Sequence, residues 1–198
     1  SALTKLDVTC CDRLESLPPF PRLAELIVYS CERLTSLPLL PALTKLSVKG
    51  CNRLESLPPF PQLAALTLRQ CEQLTSLPRL PALTKLGVKE CNRLECLPLF
   101  PRLAALRIVW CDRLTSLPCL PALTKLDVQY CERLESLPVF PQLAELVVYS
   151  CGRLTSLPCL PALTKLIAVR CDHVESLPPF PQLAELTIDK CNKLASLP

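Results

Sequence analysis

Glycine and histidine are scarce in this chain, and their scarcity argues against several kinds of site. Among 198 residues there are three glycines, Gly50, Gly87 and Gly152, and one histidine, His173. Three dispersed glycines do not form the glycine-rich loop that cradles a phosphate. No Ser-His-Asp, Cys-His or paired-carboxylate group stands apart from the residues around it, and a lone histidine is a poor start for a metal site. The sequence therefore predicts a protein that is not an enzyme and that holds no cofactor and no metal.

Long apolar runs and a strong charge of one sign are also absent. Hydrophobic residues make up 49% of the chain but are spread evenly. They never form the run of about 18 residues that a membrane-spanning helix requires. The 22 basic and 18 acidic residues are interspersed and leave a net charge of only +4. Nucleic-acid-binding proteins usually carry a stronger basic bias. We therefore expect neither a membrane span nor a nucleic-acid partner.

The chain consists of a 20-residue unit written ten times. Within each unit, numbered from 1 to 20, leucine or a close substitute occupies positions 3, 6, 8, 14, 17 and 20, cysteine position 11, and proline positions 18 and 1. In the first copy these residues are Leu3, Leu6, Val8, Cys11, Leu14, Leu17 and Phe20. Repeats of this length stack into one elongated unit whose core grows with copy number. We expect a single domain over residues 1–198.

The repeated pattern, LxxLxLxxCxxL followed by an LPxFP return, resembles the leucine-rich repeat along the full chain. Its cysteine position is similar to that of plant disease-resistance receptors. Its 20-residue length and LPxLP return are similar to bacterial effector repeats, in which asparagine usually takes the place of the cysteine. The resemblance implies a leucine-rich-repeat solenoid, and it makes the recognition region of such a receptor or effector one candidate for function.

The residues themselves predict the same architecture. Apolar positions 6 and 8 alternate with polar or variable positions 5, 7 and 9, which is the period of a strand with one buried face. The prolines at positions 18 and 1 remove two backbone donors and favour extended or polyproline backbone between them. The sequence therefore predicts ten short parallel strands on a concave sheet and a helix-poor, extended or polyproline convex side.

The copies alternate in two forms, so the building block is a 40-residue double unit that occurs five times. Odd units carry Thr-Lys at positions 4 and 5, whereas even units carry Ala followed by Glu or Ala. This alternation predicts Lys5 beside Glu25, and Lys125 and Lys165 on either side of Glu145. In the core, large rings should alternate with leucines and interdigitate with them. The rings are Phe20, Phe60, Phe100, Phe140 and Phe180.

Neither end of the sequence carries an obvious capping repeat. The strand pattern begins at Leu3 and the last unit runs to Pro198. Core side chains and strand edges are therefore expected to be open at both ends, which favours self-association through them. Open ends and near-identical copies favour an excised fragment or an engineered, consensus-derived array. Recent natural duplication is the alternative.

Ten of the 14 cysteines occupy position 11 and should stack as a ladder. We interpret them as buried thiols, each a small apolar residue that donates weakly to a loop carbonyl. Parallel side chains about 4.8 Å apart place sulfurs side by side, which disfavours disulfides. Free thiols favour a reducing, cytoplasmic compartment, although the localisation stays open. The sequence also leaves open whether Cys10, Cys96, Cys119 and Cys159, outside the ladder, form disulfides.

The copies differ from one another mainly at positions 7, 9 and 10, which we expect to point off the concave sheet. The only tryptophan and all three tyrosines lie in these columns. Large amphipathic side chains of this kind dominate protein interfaces. Neutral drift is the alternative, because position 19 on the convex side varies too. The candidate binding residues are Tyr29, Lys49, Arg69, Arg107, Trp110, Gln129, Tyr130, Tyr149 and Arg170.

These observations favour a non-enzymatic repeat scaffold that presents a concave surface to a protein or peptide. A rigid array orders its side chains before contact, so that binding costs less entropy. A purely structural, designed repeat protein with no natural ligand remains an alternative, as does the recognition region of a plant immune receptor or bacterial effector. Near-identical copies favour the first alternative, and the variable columns favour a binder.

Overall fold

A computed structural model describes residues 2–197, so Ser1 and Pro198, the outermost residues of the expected domain, lie outside the described part. Ten strands of five residues pair in parallel and in sequence order within one sheet. No helix occurs among residues 2–197, and hence none that is long and apolar enough to cross a membrane. The predicted ten parallel strands and helix-poor return are confirmed. The strands are β1 (Lys5–Thr9), β2 (Glu25–Tyr29), β3 (Lys45–Lys49), β4 (Ala65–Arg69), β5 (Lys85–Lys89), β6 (Ala105–Val109), β7 (Lys125–Gln129), β8 (Glu145–Tyr149), β9 (Lys165–Val169) and β10 (Glu185–Asp189).

The strands from β2 to β9 bury the residues at positions 6 and 8 and turn the other three away from the core. In β3, Leu46 and Val48 are buried, whereas Lys45 is exposed. Every strand pairs with the next at an offset of 20 residues, as in Lys45 opposite Ala65. Because the offset equals the repeat length, each position of the repeat forms a continuous column across the sheet.

The start of each strand explains why threonine and alanine alternate at position 4. The carbonyl of Thr4 accepts bonds from the backbone N–H groups of Ala24 and Glu25, at 2.8 and 3.0 Å. In odd repeats a side chain adds a further bond, such as that from the Thr44 hydroxyl to the Ala24 carbonyl at 3.0 Å. Thr84, Thr124 and Thr164 repeat it at the same distance. Four of the five 40-residue units therefore carry one additional bond to the preceding repeat.

The prediction that position 10 points off the sheet, as positions 7 and 9 do, is wrong. Position 10 lies one residue past the strand in all ten repeats, with φ between 49° and 66°. Its N–H still continues the ladder, as in the 2.8 Å bond from Ser30 to the Lys49 carbonyl. Gly50 adopts this left-handed backbone freely, but the nine other residues do so at a cost of about 1 kcal/mol each. Position 10 thus belongs to the turn at the edge of the sheet, whereas positions 7 and 9 belong to the sheet itself.

The core consists of leucine columns and the predicted alternation of large and medium side chains. Phe60, Phe100 and Phe140 are completely buried, and Leu80 and Leu120 lie between them at the same repeat position. Phe20, in the first repeat, is only partly buried. No polar or charged side chain is buried within residues 2–197. The core therefore offers no polar chemistry, and the binding groups must lie outside it.

The cysteine ladder is buried as predicted, apart from its ends. The eight thiols from Cys31 to Cys171 at position 11 are buried, Cys11 is exposed and Cys191 is half-buried. The sulfurs donate to the carbonyl of the last strand residue, as in Cys91 to Lys89 at 3.5 Å, and not to a loop carbonyl. Several also reach the preceding repeat, as in Cys171 to Val148 at 3.8 Å. All fourteen cysteines are free thiols, including the four outside the ladder.

Lysine–glutamate pairs join neighbouring strands at position 5. Lys5 contacts Glu25 at 3.2 Å and Lys125 contacts Glu145 at 2.9 Å, as expected. Lys165 lies opposite Glu145 in the register, but its amino group pairs with Glu185 at 2.6 Å on the other side. Exposed pairs of this kind contribute only some tenths of a kcal/mol each.

The two end repeats expose side chains that are buried elsewhere. Leu6 and Val8 of β1 are half-buried. In the last repeat Leu186 is 36% exposed and Leu197 is 65% exposed. In the chain as it stands, these surfaces lack the neighbouring repeat that covers the corresponding residues in the middle of the array.

Candidate binding face

The sheet has one face that does not pack on the core, and it carries most of the candidate binding residues. We call the residues at positions 5, 7 and 9 of the ten strands the open face. Five candidates lie at position 9 and one at position 7, whereas the remaining three lie at position 10 in the turn beyond the strand. In that order they are Tyr29, Lys49, Arg69, Gln129 and Tyr149; Arg107; and Trp110, Tyr130 and Arg170.

Three aromatic rings meet at the edge of the sheet where β6, β7 and β8 end. The ring centroids of Trp110 and Tyr130 are 5.1 Å apart, and those of Tyr130 and Tyr149 are 5.0 Å apart. Both pairs are tilted, at distances in the range that favours aromatic contacts. Trp110 nevertheless remains 41% exposed. We call these three residues the aromatic row; it is a large apolar surface with polar tips, in place before any ligand arrives.

Two lysines lie over aromatic rings on the same side of the molecule. The amino group of Lys89 is 4.8 Å from the centre of a Trp110 ring, and that of Lys49 is 4.4 Å from the centre of the Tyr29 ring. Such cation–π contacts hold the ammonium groups in place and contribute about 0.5–1 kcal/mol at exposed sites. Lys89 was not among the residues that the sequence singled out.

Two acidic residues, also missed by sequence reasoning, connect several of the candidates. Glu90 lies 3.3 Å from Lys89 and 3.9 Å from Arg69. Asp127 lies 3.3 Å from the Arg107 guanidinium and accepts a 2.8 Å bond from the Gln129 amide. Both acids occupy variable columns, which is the signal that could have identified them.

Arg69 has an unsatisfied donor. Its Nε is buried and, within the described residues, has no hydrogen-bond partner. A buried donor left unpaired costs free energy, and a ligand oxygen that reached it would recover that cost. The rest of the Arg69 side chain is exposed, so its terminal nitrogens can donate to a ligand acceptor.

Arg170 acts on the aromatic row through its charge. A hydrogen bond with Tyr149 is the main cause that raises the pKa of Tyr130, and the positive charge of Arg170 works in the opposite direction. The side chain of Arg170 itself is exposed in the turn after β9. Eight of the nine candidates are thus joined in local clusters, while Arg170 is linked only electrostatically.

One residue of the variable columns does not belong to the accessible surface. Val109, at position 9 of β6, is only 5% exposed. It is the only residue in that column that is buried among the ten strands described. Variation at a position of the repeat is therefore not by itself evidence of exposure.

A depression forms on the open face around Gly87. A side chain built at Gly87 would meet only the Thr67 hydroxyl, at 4.0 Å, so the space above this glycine is open. A hollow of about 430 Å³ lies there, and it extends from Ala65 of β4 to Glu145 of β8, with Asp127 also in its wall. A second, of about 380 Å³, adjoins it and includes Arg69, Lys89 and Trp110. Together they form a shallow groove from β4 to β8 that leads to the aromatic row.

The chemistry of this face is that of recognition by charge, hydrogen bonding and aromatic contact. Within residues 2–197, no group of three or more His, Cys, Asp or Glu side chains is placed to hold a metal ion. The groove offers ammonium and guanidinium donors on one side and exposed aromatic rings on the other. Such a surface suits a ligand with carboxylates and a large apolar side chain.

Comparisons with known proteins add no functional argument. No protein-family model and no curated protein matches the chain. Among solved structures, a leucine-rich repeat protein from Bacteroides ovatus ATCC 8483 is 14% identical, with a TM-score of 0.45, over 94% of this chain and 69% of that one. A leucine rich cell surface protein from Faecalibacterium prausnitzii A2-165 is 12% identical, with a TM-score of 0.42, over 98% and 82%. Such low identities and TM-scores leave the argument to the repeat and its strand ladder. On that evidence the chain is a parallel β-solenoid with turns of about 20 residues, consistent with a leucine-rich-repeat protein.

Proposed function

We propose that this chain is a non-enzymatic scaffold, one domain of ten repeats, that binds a protein or peptide on its open face and the adjoining aromatic row. The aromatic row is the single observation that carries the proposal. Trp110 remains 41% exposed although it contacts Tyr130. Tyr130 and Tyr149 are half-buried beside it. Tryptophan, tyrosine and arginine are the residue types that dominate binding energy at protein interfaces.

Rigid presentation is the mechanism. The backbone beneath the row is fixed by the strand ladder, which continues through the bond from the Trp110 N–H to the Gln129 carbonyl at 3.0 Å. The rings are further held by their mutual contacts and by Lys89. Side chains that are ordered before binding lose less conformational entropy when the ligand arrives, so more of the contact energy appears as affinity.

The sequence also predicts alternative functions. Near-identical repeats support a purely structural, engineered array, in which the aromatic row would only stiffen the sheet. Self-association through the ends stays a prediction. The recognition region of a plant immune receptor or bacterial effector is compatible with the proposed binding function.

Removing the aromatic row should abolish binding and leave the fold intact. For a peptide selected on the intact chain from a random display library, W110A/Y130A is expected to weaken binding by about 2 kcal/mol or more, since residues of this type act as hot spots. Because Trp110 is well exposed, the free energy of unfolding should change little. Isothermal titration measures the first quantity and urea unfolding the second.

A matched control removes two exposed apolar side chains elsewhere. Leu39 and Leu99, at position 19 of their repeats, are 64% and 57% exposed. The variant L39A/L99A should bind the selected peptides as the intact chain does. If W110A/Y130A binds these peptides normally, or if both double variants lose binding equally, the aromatic row is not part of the binding surface.

A further inference from the structure

The central strands of the open face carry a concentration of positive charge. The nine open-face positions of β3, β4 and β5 hold five cationic residues and no acidic one. We call these five residues the basic patch: Lys45, Lys49, Arg69, Lys85 and Lys89. The other four positions are Ser47, Ala65, Thr67 and Gly87. The small net charge of the whole chain conceals this local excess.

The patch arises where two alanines interrupt the charge pattern of the repeat. At position 5, repeats 2, 8 and 10 carry glutamates, each of which pairs with a lysine. Repeats 4 and 6 carry Ala65 and Ala105 instead. Lys45 lies between Ala65 and Glu25, and the Glu25 carboxylate contacts Lys5 instead. Lys85 lies between Ala65 and Ala105. Within residues 2–197 no carboxylate lies within 4.0 Å of the amino group of Lys45 or Lys85.

One acidic side chain lies against the patch and does not balance it. Glu90, in the turn after β5, contacts Lys89 at 3.3 Å and Arg69 at 3.9 Å. The buried Nε of Arg69 remains without a partner. Clustered cations of this kind repel one another and attract ligands of opposite charge, which raises both association rate and specificity.

The shape of the face adds a place for a chain to lie. The hollow over Gly87 is bounded by Ala65 and Ala105, the same residues that leave the lysines unpaired. The adjoining hollow leads past Arg69 and Lys89 to Trp110. We propose that the groove binds an extended acidic peptide, whose carboxylates contact the basic patch and whose large apolar side chain contacts the aromatic row. This inference rests on the proposed binding function and specifies its partner.

An acidic peptide fits better than a nucleic acid because the patch is short. It covers three strands, so its outer strands are only about 10 Å apart. Beyond it, β2 carries Glu25, and β7 and β8 carry Asp127 and Glu145. Asp127 and Glu145 also line the far end of the larger hollow, but they already pair with Arg107 and Lys125. A short acidic segment over β3 to β5 therefore meets mainly cations, whereas a long polyanion would extend over acidic residues on both sides.

Labelled peptides test the charge preference directly. The probes are a ten-residue fluorescein-labelled peptide of glutamates with one tryptophan, its counterpart with glutamines, and a single-stranded oligonucleotide of ten nucleotides. Fluorescence anisotropy should show that the glutamate peptide binds about tenfold more tightly than the glutamine peptide at low salt. The difference should shrink at about 0.5 M salt, where exposed charges are strongly screened.

Two double variants with the same added charge locate the site. A65E/A105E introduces the residue that position 5 carries in repeats 2, 8 and 10, so the variant should fold. Its new glutamates should pair with the flanking lysines and lower the affinity for the glutamate peptide by about tenfold. T75E/T115E adds the same charge to the same two repeats at position 15, away from the open face. That position carries glutamate in every odd repeat. This control should bind as the intact chain does.

Three results would overturn the inference: equal binding of the glutamate and glutamine peptides, unchanged binding by A65E/A105E, or tighter binding of the oligonucleotide than of the glutamate peptide. Library-selected peptides separate this inference from the proposed function. If binding of these selected peptides requires Trp110 and Tyr130 but is unchanged in A65E/A105E, the prediction of an acidic partner is wrong and the proposed binding function is supported. If they are unaffected by both sets of variants, both proposals fail.

Discussion

Raising the pH from about 8 to about 10.5 is expected to remove about 6 kcal/mol from the free energy of unfolding through three thiols in the middle of the ladder alone, because they must stay neutral in the folded array. Burial raises the pKa of Cys131 to about 11 and that of Cys151 to about 12. Burial also raises the pKa of Cys111, which lies one repeat earlier. In the unfolded chain a thiol ionises at about 8.5.

The direction of the effect follows from which state releases protons. Above about pH 8.5 the unfolded chain loses thiol protons that the folded chain retains, so stability falls as the pH rises and is fully present below that value. At about pH 10.5 each of the three thiols accounts for a loss of about 2 kcal/mol. The combined loss is comparable with the entire stability of many domains, which is about 5–15 kcal/mol.

Urea unfolding at several pH values checks this prediction. The control is C111A/C131A/C151A, which should be less stable near neutral pH because it lacks three packed sulfurs, but should lose less stability on the way to about pH 10.5. Ionisation of lysines and tyrosines affects both proteins alike. Identical pH slopes for the two proteins would show that the cysteine ladder does not control alkaline stability.

Truncating a central phenylalanine is expected to have the second largest effect. Phe100→Ala should lower the free energy of unfolding by about 3–5 kcal/mol, the usual cost of emptying a completely buried ring site. Phe100 is 0% exposed and lies between Leu80 and Leu120, which are already smaller than a phenylalanine. Neither leucine can move into the vacated ring site without leaving a cavity at its own site, so a cavity should remain.

The same substitution at the end of the array provides the comparison. Phe20 is only partly buried, so Phe20→Ala should cost clearly less than Phe100→Ala. Phe100→Leu introduces the residue that even repeats carry at position 20 and should give an intermediate loss. Urea unfolding followed by circular dichroism measures all three. Equal losses for Phe20→Ala and Phe100→Ala would contradict the continuous core, since stacked repeats draw their stability from both neighbours.

The strands and the core were predictable because every position recurs ten times. Leu46 and Val48 alternate with polar residues in β3, and the same alternation in the other repeats makes the period unmistakable. The sequence of Phe60, Leu80 and Phe100 likewise shows the packing order of the core directly. Where one physical requirement is repeated in every copy, sequence reasoning succeeds.

The local geometry at the strand ends was not predictable in the same way. Among the ten residues at position 10, only Gly50 is of a type that predicts a left-handed backbone. The nine other residues adopt the same backbone although their types do not predict it. Lys165 pairs with Glu185 and not with Glu145. This pairing depends on side-chain rotamers in three neighbouring strands, which the repeat pattern does not predict. The basic patch, by contrast, was readable from Ala65 and Ala105 and was missed because the net charge of the chain is small.

The central claim is that the core residues specify the fold, whereas the open face and the aromatic row bind the ligand. An array in which these surface residues are made uniform tests this claim most directly. Positions 7 and 9 of β2–β9 are replaced by threonine, which these columns already hold at Thr67 and Thr9, and the buried Val109 is left unchanged. Trp110 and Tyr130 are replaced by serine, which position 10 already holds at Ser30 and Ser150. Threonine also favours strands. We predict the same circular dichroism spectrum and the same cooperative unfolding, with no binding of peptides selected on the intact chain. Retained binding, or an array that no longer folds, would contradict the claim.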